Sequence, residues 1–287
     1  MEDDDNLQFY EKQIKKNSHG ALLLELKANL DRLPPVISEL TQITELHICN
    51  SNLASLPSDL KKLINLKTLK LRGNEFKDLP ASVCGINSLQ ELDLAINFIS
   101  HLPEDILALK QLKVLNLENN CLDASQIGQL GKLEHLVALN LSSNKLRCVP
   151  DNIGNLAALR ILILKHNHLT TAPAFLKRLH NLQELNISYN LLSQFKVDLT
   201  SLSKLRNLDL GGNMLEEFPD SILALTNIER LDVAKNKIKA VPPFIVNLHH
   251  LKEIWLEKNQ LAQFPGVLCD VSRSEERRVG KECRSRW

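Results

Sequence analysis

Few side chains in this sequence are of the right type and spacing to do chemistry. His166 and His168 sit two residues apart and His249 and His250 are adjacent, which could begin a metal site. No carboxylate or cysteine cluster completes either pair, so solvated histidines and no metal are expected. The sequence contains no phosphate loop, no nucleophile elbow and no paired acids in a pocket-forming arrangement. No catalytic residues and no cofactor are expected, and the chain reads as a binding protein rather than an enzyme.

One residue type does recur with a spacing that demands explanation. Asn74, Asn97 and Asn120 lie 23 residues apart, a single step of 24 leads to Asn144, and the 23-residue step then gives Asn167, Asn190, Asn213, Asn236 and Asn259. An asparagine amide offers two donors and an acceptor, so a ladder of them can satisfy backbone groups turned away from water. These nine residues are expected to be structural.

The elements that would position such a ladder are visible around it. Leu66, Leu69, Leu71 and Phe76 bracket Asn74, and the same slots recur as Leu89, Leu92, Leu94 and Ile99 around Asn97. Ile43, Leu46, Ile48 and Leu53 fit the same frame, with Ser51 in the asparagine position. A degenerate turn near Leu24, Leu26 and Asn29 precedes them, which makes ten full repeats and one partial one. Apolar and polar residues alternate through the last two leucines of each motif, the signature of a short strand with one buried face. Six residues after the ladder position stands a proline in most repeats, from Pro57 and Pro80 to Pro242 and Pro265, where a fixed φ can start the opposite turn. Gln126 and Lys196 replace it in two repeats, which points to local adjustment of that wall.

The pattern L-x-x-L-x-L-x-x-N-x-L resembles the leucine-rich repeat family over roughly residues 21–268. The resemblance implies an α/β repeat solenoid: a curved horseshoe with parallel strands on the concave face and short helical, 3-10 or extended segments on the convex face. The L-x-x-L-P-x-x-I ending is similar to that of the cytosolic Ras-group members, which include Ras-pathway scaffolds, Ras suppressors and Scribble-like polarity proteins. That likeness implies a protein-interaction scaffold or adaptor in signalling, with a small GTPase or a protein phosphatase as partner. The alternative is the substrate-recognition or regulatory portion of a larger enzyme, a kinase or ubiquitin ligase, cut short at its C-terminus.

A partner is expected on the variable strand positions. Most are polar, but Val114, Ala138, Ile161 and Ile163 form an apolar group, with His166 and Tyr189 at its edge. Trp255 is a second candidate, because tryptophan is enriched in binding hot spots.

Charge and composition narrow the class further. The net charge is +1, which gives no reason to expect nucleic acid, and aromatic residues are only 4% of the chain. No apolar run is long enough to span a membrane, and the start, Met1 to Asp5, is acidic where a secretory signal would be basic and apolar. Cys49, Cys84, Cys121, Cys148, Cys269 and Cys283 are scattered through the repeat frame, so reduced thiols in a cytoplasmic monomer are expected and an extracellular receptor fragment is disfavoured. The sequons at Asn140 and Asn186 would matter only in a secreted protein.

Three segments are expected: residues 1–20 as a helical or frayed N-terminal cap, 21–270 as the repeat domain, and 271–287 as a disordered tail. The stretch RSEERRVGKECRSRW, Arg273 to Trp287, has no leucine and resembles translated sequencing-adapter read-through. It carries six basic and three acidic residues, so the rest of the chain has a net charge of about −2 and the tail's basicity says nothing about nucleic acid.

Overall fold

The computed structural model describes residues 7–26 and 29–262, together with the backbone of Arg278–Val279. Expectations that rest on Met1 to Asp5, Pro265, Cys269, Cys283 and the remainder of the tail lie outside the described residues. The chain divides into two compact units, Met1–Asn140 and Leu141–Trp287.

The first unit opens with α1 (Leu7–Glu11), whose Tyr10 is buried. Helical spacing in the sequence runs on to Ile14, but the helix stops at Glu11 because a tight turn follows. Asn17 Oδ1 accepts from the N–H groups of His19 and Ala21, both at 3.0 Å, and Gly20 adopts a φ of 82°. This turn sets β1 (Lys15–Lys16) antiparallel to β2 (Leu22–Leu26). The outer edge of β2 is therefore met by a two-lysine strand, an edge chemistry that discourages further pairing.

From β2 the strands are parallel and one repeat apart. β3 (Glu45–Ile48), β4 (Thr68–Lys70), β5 (Glu91–Asp93), β6 (Val114–Asn116) and β7 (Ala138–Asn140) align with Leu46, Leu69, Leu92, Leu115 and Leu139 in one row. In the second unit β8 (Ile161–Ile163), β9 (Glu184–Asn186), β10 (Asn207–Asp209), β11 (Arg230–Asp232) and β12 (Glu253–Trp255) do the same through Leu162, Leu185, Leu208, Leu231 and Ile254. β13 (Arg278–Val279) pairs parallel with β12. The row residues are at most 3% exposed, while those on either side of them stay partly exposed. Each unit is thus a leucine-cored repeat solenoid, in which one repeat buries its face only against the next.

On the opposite wall each repeat makes one short turn. Prolines end the extended run, and their carbonyls accept from the N–H three residues on, as in Leu60 to Pro57 (3.2 Å) and Ile153 to Pro150 (3.1 Å). The turns are mostly 3-10 segments, such as Ser58–Lys62 and Asp151–Asn155, with one α-helical turn at α2 (Ala81–Cys84).

The two repeats without proline solve the turn differently. In the 24-residue repeat, Asp123 caps α3 (Ala124–Ile127) by accepting from Ser125 N–H at 2.9 Å, and the helix runs on into a 3-10 segment, Gly128–Lys132. The extra residue is taken up by this longer helical turn. Around Lys196 no helix or 3-10 turn forms. Asp198 instead holds a tight bend by accepting from Thr200 N–H at 3.0 Å.

Candidate protein-binding surface

The asparagines sit where each strand bends into the core. Asn97 Nδ2 donates to Leu94 O and to Leu71 O of the preceding repeat, both at 3.0 Å, while its Oδ1 accepts from Phe76 N–H at 3.1 Å. Asn74, Asn120, Asn167, Asn190, Asn213, Asn236 and Asn259 make the equivalent set, each taking an N–H 21 residues earlier and a carbonyl 26 residues earlier. Asn144 donates to Leu141 O and Ser142 O. An amide whose donors and acceptor are all committed to the backbone is unavailable for chemistry. Ser51 occupies the same position in the first full repeat, and its buried hydroxyl has no partner.

The strand face is the surface left for a partner. Val114 and Ala138 face each other in register on β6 and β7 of the first unit. Ile161 and Ile163 share the exposed side of β8 in the second unit, next to Glu184 and Asn186 of β9. All four are only half-buried rather than exposed, so the apolar group is shallower than its residue types imply. Trp255 is likewise half-buried, beside Asp232.

Carboxylates gather on the same face of the second unit. Asp209 Oδ1 accepts from Gly211 N–H at 2.9 Å and its Oδ2 from Asn186 Nδ2 at 2.9 Å. Its register neighbour Asp232 accepts from Ala234 N–H at 2.8 Å. Burial, with the nearby charges of Asp209 and Glu257, pushes the Asp232 carboxyl up to about 6. In the first unit burial and the Lys70 ammonium pull His47 below the usual imidazole range.

His166 and Tyr189 are not on strands. Each stands immediately before a ladder asparagine, in the left-handed region, with φ of 53° and 52°. Their rings stack with centroids 4.5 Å apart and planes 26° from parallel. Lys165 Nζ lies 5.2 Å from the Tyr189 ring centroid and Lys235 Nζ 5.1 Å from it, and Lys235 also donates to the phenol oxygen at 2.5 Å. Gly212 makes this reach possible: a Cβ there would meet the Tyr189 ring at 2.8 Å. Lys165, Gly212 and Lys235 did not stand out in the sequence. The signal that finds them is the same 23-residue step, read one position before the asparagine for Gly212 and Lys235 and two positions before it for Lys165.

Among the described residues no group of three or more His, Cys, Asp or Glu side chains could hold a metal ion. No described helix is long and apolar enough to cross a membrane. Cys49, Cys84, Cys121 and Cys148 are free thiols, and burial pushes Cys84 up to about 11.

The comparisons with known proteins agree on this architecture. The chain is 30% identical to a leucine-rich repeat protein of Leptospira interrogans, with a TM-score of 0.72, over 84% of this chain and 67% of that one. It is 25% identical to the ectodomain of the Arabidopsis receptor kinase HAESA, solved with a peptide hormone, with a TM-score of 0.71 over 87% of this chain and 44% of that one. An internalin of Listeria monocytogenes shares the fold, with 21% identity and a TM-score of 0.65 over 89% of this chain and 77% of that one. The chain therefore spans less than half of the plant receptor ectodomain it matches. Among curated proteins none matches the sequence. The leucine rich repeat model matches residues 41–99, 87–146, 110–169 and 157–215, which together cover more than half of the sequence, and the chain belongs to the leucine-rich repeat family.

Proposed function

We propose that this chain is a protein-interaction scaffold or adaptor that acts in intracellular signalling and binds through the strand faces of its two units. The observation that carries this reading is the division of labour around each strand. The buried row and the asparagines are consumed by the fold, while the side chains between them vary freely on a rigid, partly exposed surface. Val114 and Ala138 in one unit, and Ile161, Ile163 and Trp255 in the other, supply the apolar contacts of that surface. The free thiols accord with a reducing compartment. A small GTPase or a phosphatase as partner rests on the L-x-x-L-P-x-x-I resemblance.

A second reading has one observation in its favour. The chain is similar to part of a receptor-kinase ectodomain solved with a peptide, so it could serve as the recognition portion of a larger enzyme. One binding experiment separates the two readings. Purified chain is titrated with a panel of Ras-like GTPases in both nucleotide states and with phosphatase catalytic subunits. Saturable binding to one of them supports the scaffold reading, and binding to none removes it in favour of the recognition-arm reading.

A further inference from the structure

The residue before each ladder asparagine is held in the left-handed region throughout the described repeats. Asn50, Asn119, Gly73 and Gly212 fill the position with residues that adopt such a φ readily. Ile96 and Ser143 fill it as well, and His166, Tyr189, Lys235 and Lys258 of the second unit do so with φ between 52° and 56°. Each of these choices is strained relative to glycine or asparagine, because Cβ crowds the following carbonyl. Packing does not require them, since all four side chains are exposed. Three of them, His166, Tyr189 and Lys235, make side-chain contacts with one another.

Those contacts build a charged aromatic platform. The His166 imidazole lies on the Tyr189 ring, and the ammoniums of Lys165 and Lys235 both sit against that same ring. Neither lysine forms an ion pair with a described residue, unlike Arg206 and Lys252, which both bond Glu229. Exposed His168 and Lys237 stand just beyond the asparagines on the same loops. The ridge is thus basic, while the strand face below it carries Glu184, Asp209, Asp232 and Glu253.

We propose that the His166–Tyr189–Lys235 ridge, with Lys165, is a binding site for an acidic peptide segment of a partner protein. Two ammoniums outside any ion pair, each within 5.2 Å of one ring centroid, match carboxylates at short spacing, and the stacked rings offer a flat surface for the aliphatic part of a glutamate. A long polyanion fits worse. The acidic strand face alongside would repel phosphates beyond the ridge, and residues 1–272 carry a net negative charge. This inference deepens the protein-binding reading but depends only on the ridge: it stands or falls without reference to any GTPase or phosphatase.

The test uses the full chain and a fluorescein-labelled hexaglutamate peptide, read by fluorescence anisotropy at low salt. Lys165→Gln with Lys235→Gln, and separately Tyr189→Asn, are expected to weaken binding at least about tenfold. Lys61→Gln with Lys62→Gln, on a turn of the first unit, is expected to leave it unchanged. Asparagine suits the left-handed backbone at position 189, so that variant stays folded, as a thermal melt verifies. Unchanged affinity in both ridge variants overturns the proposal. So does a duplex DNA oligonucleotide that binds as tightly and shows the same losses, since the ridge would then select for polyanions and not for peptides.

Discussion

Tyr189 and Asn190 are neighbours in the chain, yet they belong to two columns that behave in opposite ways. The asparagine column is buried, nearly uniform in residue type, and bound to the backbone of two successive repeats. The column one residue earlier shares a single backbone conformation but holds Asn, Gly, Ile, Ser, His, Tyr and Lys. A repeat fold fixes chemistry where a side chain completes the core's hydrogen bonds. One residue away, where the side chain faces solvent, it fixes only geometry. Stability should therefore respond to one column and binding to the other.

The largest expected effect lies in the buried rows that support both columns. Leu141→Ala should cost about 2–5 kcal/mol, measured by chemical denaturation, because the side chain is fully buried and the repeat cannot collapse onto the void. Next comes the ladder itself. Asn190→Ala leaves the buried Leu169 N–H without a partner and takes one donor from the Leu164 and Ile187 carbonyls, which keep Asn167 and Asn213, at a cost of about 1–3 kcal/mol. Asn190→Ala melting like the parent would break the distinction between the columns.

Two smaller effects sharpen it from the other side. Ser51→Asn should complete the ladder at its first repeat and raise stability by about 1 kcal/mol, seen as a higher denaturation midpoint. Asp232 gives a pH signature. Its folded pKa of about 6 lies above its ordinary value, so its contribution to stability is present at low pH and is lost as pH rises through about 6. Melting curves of Asp232→Asn and the parent should coincide near pH 4 and separate as pH climbs towards 7, with the variant the more stable. Equal pH profiles would show that the carboxylate is well solvated and its neighbour Asp209 distant in solution.

The ladder column was legible in the sequence, and so were the strand rows, because both rest on a strict period of buried types. The left-handed column was not. Histidine, tyrosine, lysine and isoleucine carry no propensity for positive φ, so nothing local at His166 or Ile96 announces their conformation. Only Asn50, Gly73, Asn119 and Gly212 hint at it. The depth of the apolar strand residues is not legible for a related reason. Residue type gives Val114, Ile161 and Ile163 their hydrophobicity, but neighbouring side chains half-cover them. The edge hairpin at Lys15–Lys16 is too short to show any alternation.

Ile163→Glu tests the central claim most directly, with melting temperature and partner binding measured on the same preparation. The side chain is half-buried on the strand face and takes no part in the ladder. A melting temperature within about 2 °C of the parent, together with loss of the partner found in the titration panel, is the predicted result. Undiminished binding in a folded Ile163→Glu protein would contradict it and remove the strand face of the second unit as the binding surface.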